Sequence, residues 1–163
     1  MELVTYPHPA LLRKAAPLTA VDADVNARID EMLRIMKESK GVGLAAPQVA
    51  WSVRLLVLNP GDDPNDDIVL VNPTIKKKRG RQLGEEGCLS FPGIFVQVER
   101  AQEIEIEYRD RRFEQKQGTF SDFIARIIQH EIDHLDNILL VHRMSPADRL
   151  RVKKDLEALV KGA

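Results

Sequence analysis

One segment constrains this chain more than any other. From Phe123 to about Leu135 the apolar residues Phe123, Ile124, Ile127 and Ile128 recur at helical spacing, and His130-Glu131-Ile132-Asp133-His134 continues the run. His130 falls at i+7 from Phe123, on the apolar face, so its ring points inward. Imidazoles on a buried face need partners. Residues four apart lie one above the other on a helix, so a single metal ion satisfies both His130 and His134. Glu131, beside the first ligand, then reaches solvent at the ion without ligating it. The bland alternative is two exposed histidines on a helix.

Two histidines do not complete a catalytic site, which takes three protein ligands and keeps one open position. No glycine-histidine extension follows the motif, and the only later glutamate is Glu157. His8 and His142 carry no local signature. The remaining soft donor is Cys88, in Glu86-Gly87-Cys88-Leu89-Ser90. Alone it reads as a small buried hydrophobe, or as a nucleophile beside a histidine. Next to a two-histidine helix, ligation is favoured, because a thiolate partly neutralises the ion's charge. A third segment, Gly41-Val42-Gly43-Leu44-Ala45-Ala46-Pro47-Gln48, has glycine-spaced small residues but no following Lys-Ser/Thr, which excludes a P-loop. It reads as a loop that lets a substrate backbone come close, with Gln48 offering an amide, or as an ordinary connecting turn.

The rest of the chain supplies a scaffold. Val25, Ile29, Met32, Leu33 and Met36 predict a one-striped helix capped by Asp22 or Asp24 and ended before Gly41. Val53–Leu58 and Ile68–Val71 read as strands, and Glu103–Tyr108 alternates as a strand with one wet face. Residues 61–67 form a surface loop, and Lys76–Arg81 is a basic strand end or turn. Ser121 or Asp122 is expected to cap the motif helix and Asn137 to stop it. Pro146 starts a last helix, 147–162, docked through Leu150, Val152, Leu156, Leu159 and Val160. Strands cluster between helices, so the class is α+β. At 163 residues the chain is read as one domain, 1–163. A net charge of −1 argues against non-specific polyanion binding and direct DNA binding, and one cysteine excludes an internal disulfide. No apolar run approaches the ~20 residues of a membrane helix, and the N-terminus has no secretory pattern. The expected location is cytoplasmic.

The three segments, in this order, resemble peptide deformylase, whose motifs read G-x-G-L-A-A-P-Q, E-G-C-L-S and Q-H-E-x-D-H. Gly41–Gln48, Glu86–Ser90 and Gln129–His134 match at every defined position. Smaller echoes are Tyr6-Pro7, Leu12-Arg13, Asn72-Pro73, Pro92-Gly93, Val98-Glu99-Arg100 and Ala125-Arg126. The resemblance implies removal of the N-formyl group from the formylmethionine of nascent chains. It implies Cys88, His130 and His134 as metal ligands and Glu131 as the acid/base. Gln48 and the Leu89 backbone N–H would face the oxyanion, and Val42, Gly43, Phe123 and Ile127 would line or border the methionine pocket. It implies one divalent ion, iron(II) by family habit, with zinc, nickel or cobalt as substitutes. The implied fold has the H-E-x-x-H helix at its centre, small antiparallel or mixed sheets around it, and helices at both ends. In the bacterial family the C-terminal helix helps dock at the ribosome; the bland alternative is a solvated face. Asn137 and Asp122 stand where glycine is common, His8 where aspartate is common, and Phe95 lies where some members place a substrate-contacting arginine. An H-E-x-x-H metallopeptidase and a non-catalytic metal-stabilised binding module are the competing readings. Glu86 and Arg100 are expected to pair and brace the cysteine turn.

Overall fold

The computed structural model describes all 163 residues. Helix α1 (Ala23–Glu38) starts where expected: the Asp22 carboxylate caps it by accepting the Val25 N–H at 2.8 Å. Strands β1 (Gly43–Ala45), β2 (Leu55–Leu58), β3 (Ile68–Arg79), β6 (Glu103–Arg109) and β7 (Gln115–Ser121) form one antiparallel sheet in the order β1-β2-β3-β6-β7. Strands β4 (Gln82–Cys88) and β5 (Phe91–Arg100) form a separate hairpin. Helix α2 (Asp122–Leu135) carries the two-histidine motif; α3 (Leu140–Arg143), α4 (Pro146–Arg151) and α5 (Lys153–Lys161) follow.

The sheet lies between α1 and α2, which explains why β2 is apolar at every position. Leu55 and Val57 pack with Ile29, Met32 and Met36 of α1. Leu56 and Leu58 face the other way, onto Ile127, Ile128 and Ile132 of α2. A strand buried on both faces loses its polar alternation. The glutamates of β6 show the opposite case. Glu103 and Glu105 meet Arg79, and Glu107 meets Lys76, so the basic end of β3 balances the wet face of its neighbour. A third core packs Phe91, Ile94, Val96 and Val98 of β5 against Leu139, Leu140, Val141 and Met144.

Several expectations need correction. Strand β3 runs on to Arg79 rather than ending at Val71, β1 forms inside the segment read as a loop, and the hairpin and β7 were not anticipated. Ser121 precedes α2 but its side chain makes no cap, and Asp122 takes φ 57°. Asn137 takes φ 60°. Both departures from the family's glycines therefore keep the left-handed backbone, which Asn and Asp tolerate best among non-glycine residues. The terminal helix is broken at Val152 into α4 and α5. Its apolar stripe is not one face: Val152 is buried, but Leu150 is 76% exposed and Val160 50%. At about 100° per residue, Leu150 lies nearly opposite Val152. No helix is long and apolar enough to cross a membrane.

Candidate metal centre

Helix α2 runs through the middle of the molecule, with ten of its fourteen residues buried. That burial makes its polar residues informative. His130 and His134 come from successive turns, and Cys88 comes from the tip of the β4–β5 hairpin, at the residue before the Leu89-Ser90 turn. The ligand atoms of Cys88, His130 and His134 all lie within 4.8 Å of one another, and no other group of three such side chains converges in this way. The Cys88 Sγ is 3.3 Å from His134 Nε2. The Nδ1 of His130 is 2.9 Å from Glu86 Oε1, which leaves Nε2 for the common point.

These donors fit a metal ion on three grounds. Metal–donor distances of about 2.0–2.3 Å place ligand atoms in one shell roughly 3–4 Å apart, matching the thiol–imidazole spacing here. Second, Glu131 Oε1 is buried with no hydrogen-bond partner, 3.9 Å from His130 Nε2. A carboxylate oxygen in that position lacks the donor that solvent at an ion would provide. Third, the pocket's electrostatics call for positive charge. Burial pushes the His130 imidazole down, but Glu131, Cys88 and Glu86 outweigh it and draw a proton onto the ring. A cation bound there takes over that role and leaves the ring neutral, as ligation requires. Burial, with the charges of His130 and Arg100, pushes His134 well below its ordinary value, so its lone pair is free.

Glu131 is buried to 3% exposure, and that burial pushes its carboxyl up to about 7 against the opposing charge of His130. Its Oε2 lies against Gly43 of β1, where an added Cβ would sit 2.7 Å from that oxygen and 2.7 Å from Ile127 Cγ2. Only glycine permits this approach. Gly43→Ala is therefore expected to displace the carboxylate and lower turnover by on the order of 10² while the metal content stays at the parent level. Steady-state rates beside elemental analysis check this.

Gln48 is almost fully buried and its orientation is fixed by backbone. Its Oε1 accepts the Ala45 N–H at 2.9 Å, so Nε2 faces the centre, 3.2 Å from Ser90 Oγ and 3.6 Å from Cys88 Sγ. A cleft of about 460 Å³ opens over Gln48, Cys88, Leu89, His130 and Glu131, and Val42, Gly43, Phe123 and Ile127 all line it. His134 lies beneath, away from the cleft surface. Phe123 is half exposed at the cleft, so the start of the α2 stripe lines an open site rather than core.

The expected Glu86–Arg100 pair is present and bidentate, at 2.9 and 2.8 Å, and it belongs to a larger buried cluster. Arg100 also reaches Asp133 at 2.5 Å, Arg143 holds the same Asp133 from the other side, and Arg126 donates to Glu86. Burial alone raises the Glu86 carboxyl; hydrogen bonds from Arg100 and His130 outweigh it and hold it well below the usual carboxylate range. No local signature in the sequence marks the roles of Arg126, Asp133 and Arg143 in this cluster, or that of Phe95, which lines the cleft. The alternation Ile94-Phe95-Val96-Gln97-Val98 was the available signal that Phe95 faces outward from β5.

A family model, polypeptide deformylase, matches residues 1–150. The chain belongs to the peptide deformylase family. It is 45% identical over 164 aligned residues to the peptide deformylase of Chlorobium luteolum, covering 97% of this chain and 85% of that one. The solved peptide deformylase of Plasmodium falciparum superposes with a TM-score of 0.96 at 34% identity, covering 99% and 96% of the two chains. The solved Arabidopsis thaliana peptide deformylase 1B gives 0.93 at 41% identity, covering 99% and 91%. Peptide deformylases are metal-dependent hydrolases that remove the N-formyl group from nascent polypeptides, and the α+β fold is theirs. The peptidase and binding-module readings fall with this membership.

Proposed function

We propose that this chain hydrolyses the N-formyl group of formylmethionyl nascent peptides, with Cys88, His130 and His134 holding one divalent ion and Glu131 moving the proton. The observation that carries it is the buried, unpartnered Glu131 oxygen beside three converging donors. One thiolate and two imidazoles suit iron(II), zinc, nickel or cobalt, and we assign iron(II) from the family resemblance. When bound, such an ion supplies a nucleophile from water at neutral pH and polarises the formyl carbonyl.

The chain's own residues do the rest. Glu131 accepts the proton of the attacking water and delivers it to the amine nitrogen as the C–N bond breaks and formate leaves. Burial raises the Glu131 carboxyl, which suits a group that must both take a proton and give it back, and such help is worth about 10² to 10⁴ in rate. Gln48 Nε2 and the Leu89 N–H donate to the oxygen of the formyl carbonyl as negative charge develops on it. Because Gln48 is pre-aimed by the Ala45 N–H, it reorganises little. Gln48→Ala is expected to lower kcat by on the order of 10² to 10³ with little change in KM, checked by steady-state formate release. Val42, Gly43, Phe123 and Ile127 form the methionine site, and its apolar lining suits an unbranched thioether chain.

The deciding experiment is elemental analysis of anaerobically purified protein together with formate release from formyl-Met-Ala-Ser. One ion per chain and formate release from the formylated peptide alone are expected; cleavage of the unformylated peptide would count against this reading. We place the protein in the cytoplasm on substrate grounds, since nascent chains emerge there.

We further propose that the C-terminal segment docks at the ribosome. A groove of about 650 Å³ between Tyr6 and α4–α5 is lined by exposed Leu150 and Val160 and half-buried Leu156, with Arg149, Lys153, Glu157 and Lys161 around it. Lys153→Glu combined with Lys161→Glu is expected to reduce ribosome co-sedimentation; unchanged co-sedimentation removes the idea.

A further inference from the structure

We propose that Arg126 is a positioning residue which, matched to Gly84, fastens the Cys88 hairpin to the two-histidine helix and so sets the spacing of the three ligands. The proposal rests on the ligand assignment above and concerns how those ligands are held. The hairpin β4–β5 shares no backbone ladder with the five-stranded sheet, so its distance from α2 depends on side chains. Arg126 is 5% exposed and lies one helical turn before His130. Its guanidinium crosses the seam and engages both hairpin strands. It donates to Glu86 Oε2 at 2.5 Å, to the Gln82 carbonyl at 3.1 Å on β4, and to the Val98 carbonyl at 2.9 Å on β5.

Glu86 is two residues before Cys88, and its other oxygen is 2.9 Å from the ring nitrogen of His130. Arg126, Glu86 and His130 therefore close a ring that joins the helix to the hairpin two residues before the thiol, with only Gly87 between. Gly84 completes the fit. A Cβ there would meet Nη2, Cζ and Nε of Arg126 at 3.1, 3.2 and 3.3 Å. Three nearly equal distances mean that the flat face of the guanidinium rests on the strand, which any side chain at position 84 would lift. A lysine keeps the charge but has no planar fork to hold several acceptors at fixed angles.

Positioning is tested in the full chain with R126K, G84A and the double variant, using cobalt(II) as the probe. Each single variant is expected to weaken cobalt affinity about tenfold to a hundredfold, the range for residues that orient metal ligands. Each should also weaken the thiolate-to-cobalt charge-transfer band and shrink the rise in Tm that cobalt produces. The double variant should be no worse than R126K alone, because both changes undo one contact. A merely structural role predicts that Tm falls equally with and without cobalt while affinity and band stay at parent values; that result overturns the proposal. So does additivity of the two changes. If R126K does not fold, parent-like affinity in G84A overturns it equally. A parent protein that gives no thiolate band overturns the ligand assignment and this proposal together, whereas a parent band with parent-like variants overturns the proposal alone.

Discussion

Glu131→Gln is expected to lower deformylation by about 10² to 10⁴ while one equivalent of metal remains bound. Glutamine keeps the shape of the side chain and cannot accept the proton. The carboxylate does not itself hold the ion: Oε1 has no hydrogen-bond partner, and the ligand atoms belong to Cys88, His130 and His134. Removing a buried charge from this pocket relieves desolvation, so folding is not compromised. An interaction needed only in the transition state lowers kcat and kcat/KM together and leaves KM in place. Formate release and elemental analysis on the same preparation check both halves. A variant within tenfold of the parent would remove Glu131 from the reaction.

The second large effect is on stability. Arg100→Met is expected to cost about 3 to 5 kcal/mol, the usual result of breaking a buried ion pair from one side. Arg100 is 6% exposed and serves two buried carboxylates, Glu86 through two hydrogen bonds and Asp133 through a third. Methionine fills the volume and supplies no donor. For a chain of this length the loss corresponds to a fall in Tm of roughly 6 to 20 °C, measured by thermal unfolding. The exposed pair Arg28–Asp24, at a similar distance, is worth less than about 1 kcal/mol, and Arg28→Met is the control. Equal losses in the two variants would show that burial is not what gives the Arg100 cluster its weight.

The parts of this structure that were legible in the sequence are those whose cause is local. Helix α1 was legible because its stripe and its Asp22 cap sit within one segment. Strand β2 showed as an apolar run and β6 as strict alternation, each a direct imprint of two-sided or one-sided burial. The candidate metal centre was legible because the helix puts two imidazoles on one face and Cys88 is the remaining soft donor, while the family's motifs supplied the oxyanion roles of Gln48 and the Leu89 N–H. The hairpin was not. Its first strand reads Gln82-Leu83-Gly84-Glu85-Glu86-Gly87, with two glycines and two glutamates that argue against a strand. Their reasons lie far away in the chain: Gly84 makes room for Arg126, Gly87 for the Phe95 ring, and Glu86 is held by Arg100, Arg126 and His130. Strand β7 is a polar edge strand, and little in its own composition marks it. The terminal stripe misled for a different reason: its apolar residues do not share one face, since Leu150 lies nearly opposite Val152 and the helix breaks at Val152.

The separation of the hairpin from the main sheet has an evolutionary consequence. Under the proposed mechanism the proton-carrying carboxylate and two of the three ligands lie on the helix side, whereas much of the entrance, including Glu85, Pro92, Gly93 and Phe95, belongs to the hairpin. Outward positions of β5 can drift, admitting different peptides, without touching a proton-carrying group. Such a division lets selection retune diet and chemistry on separate schedules, with only the hairpin's tip, Cys88 and Leu89, common to both.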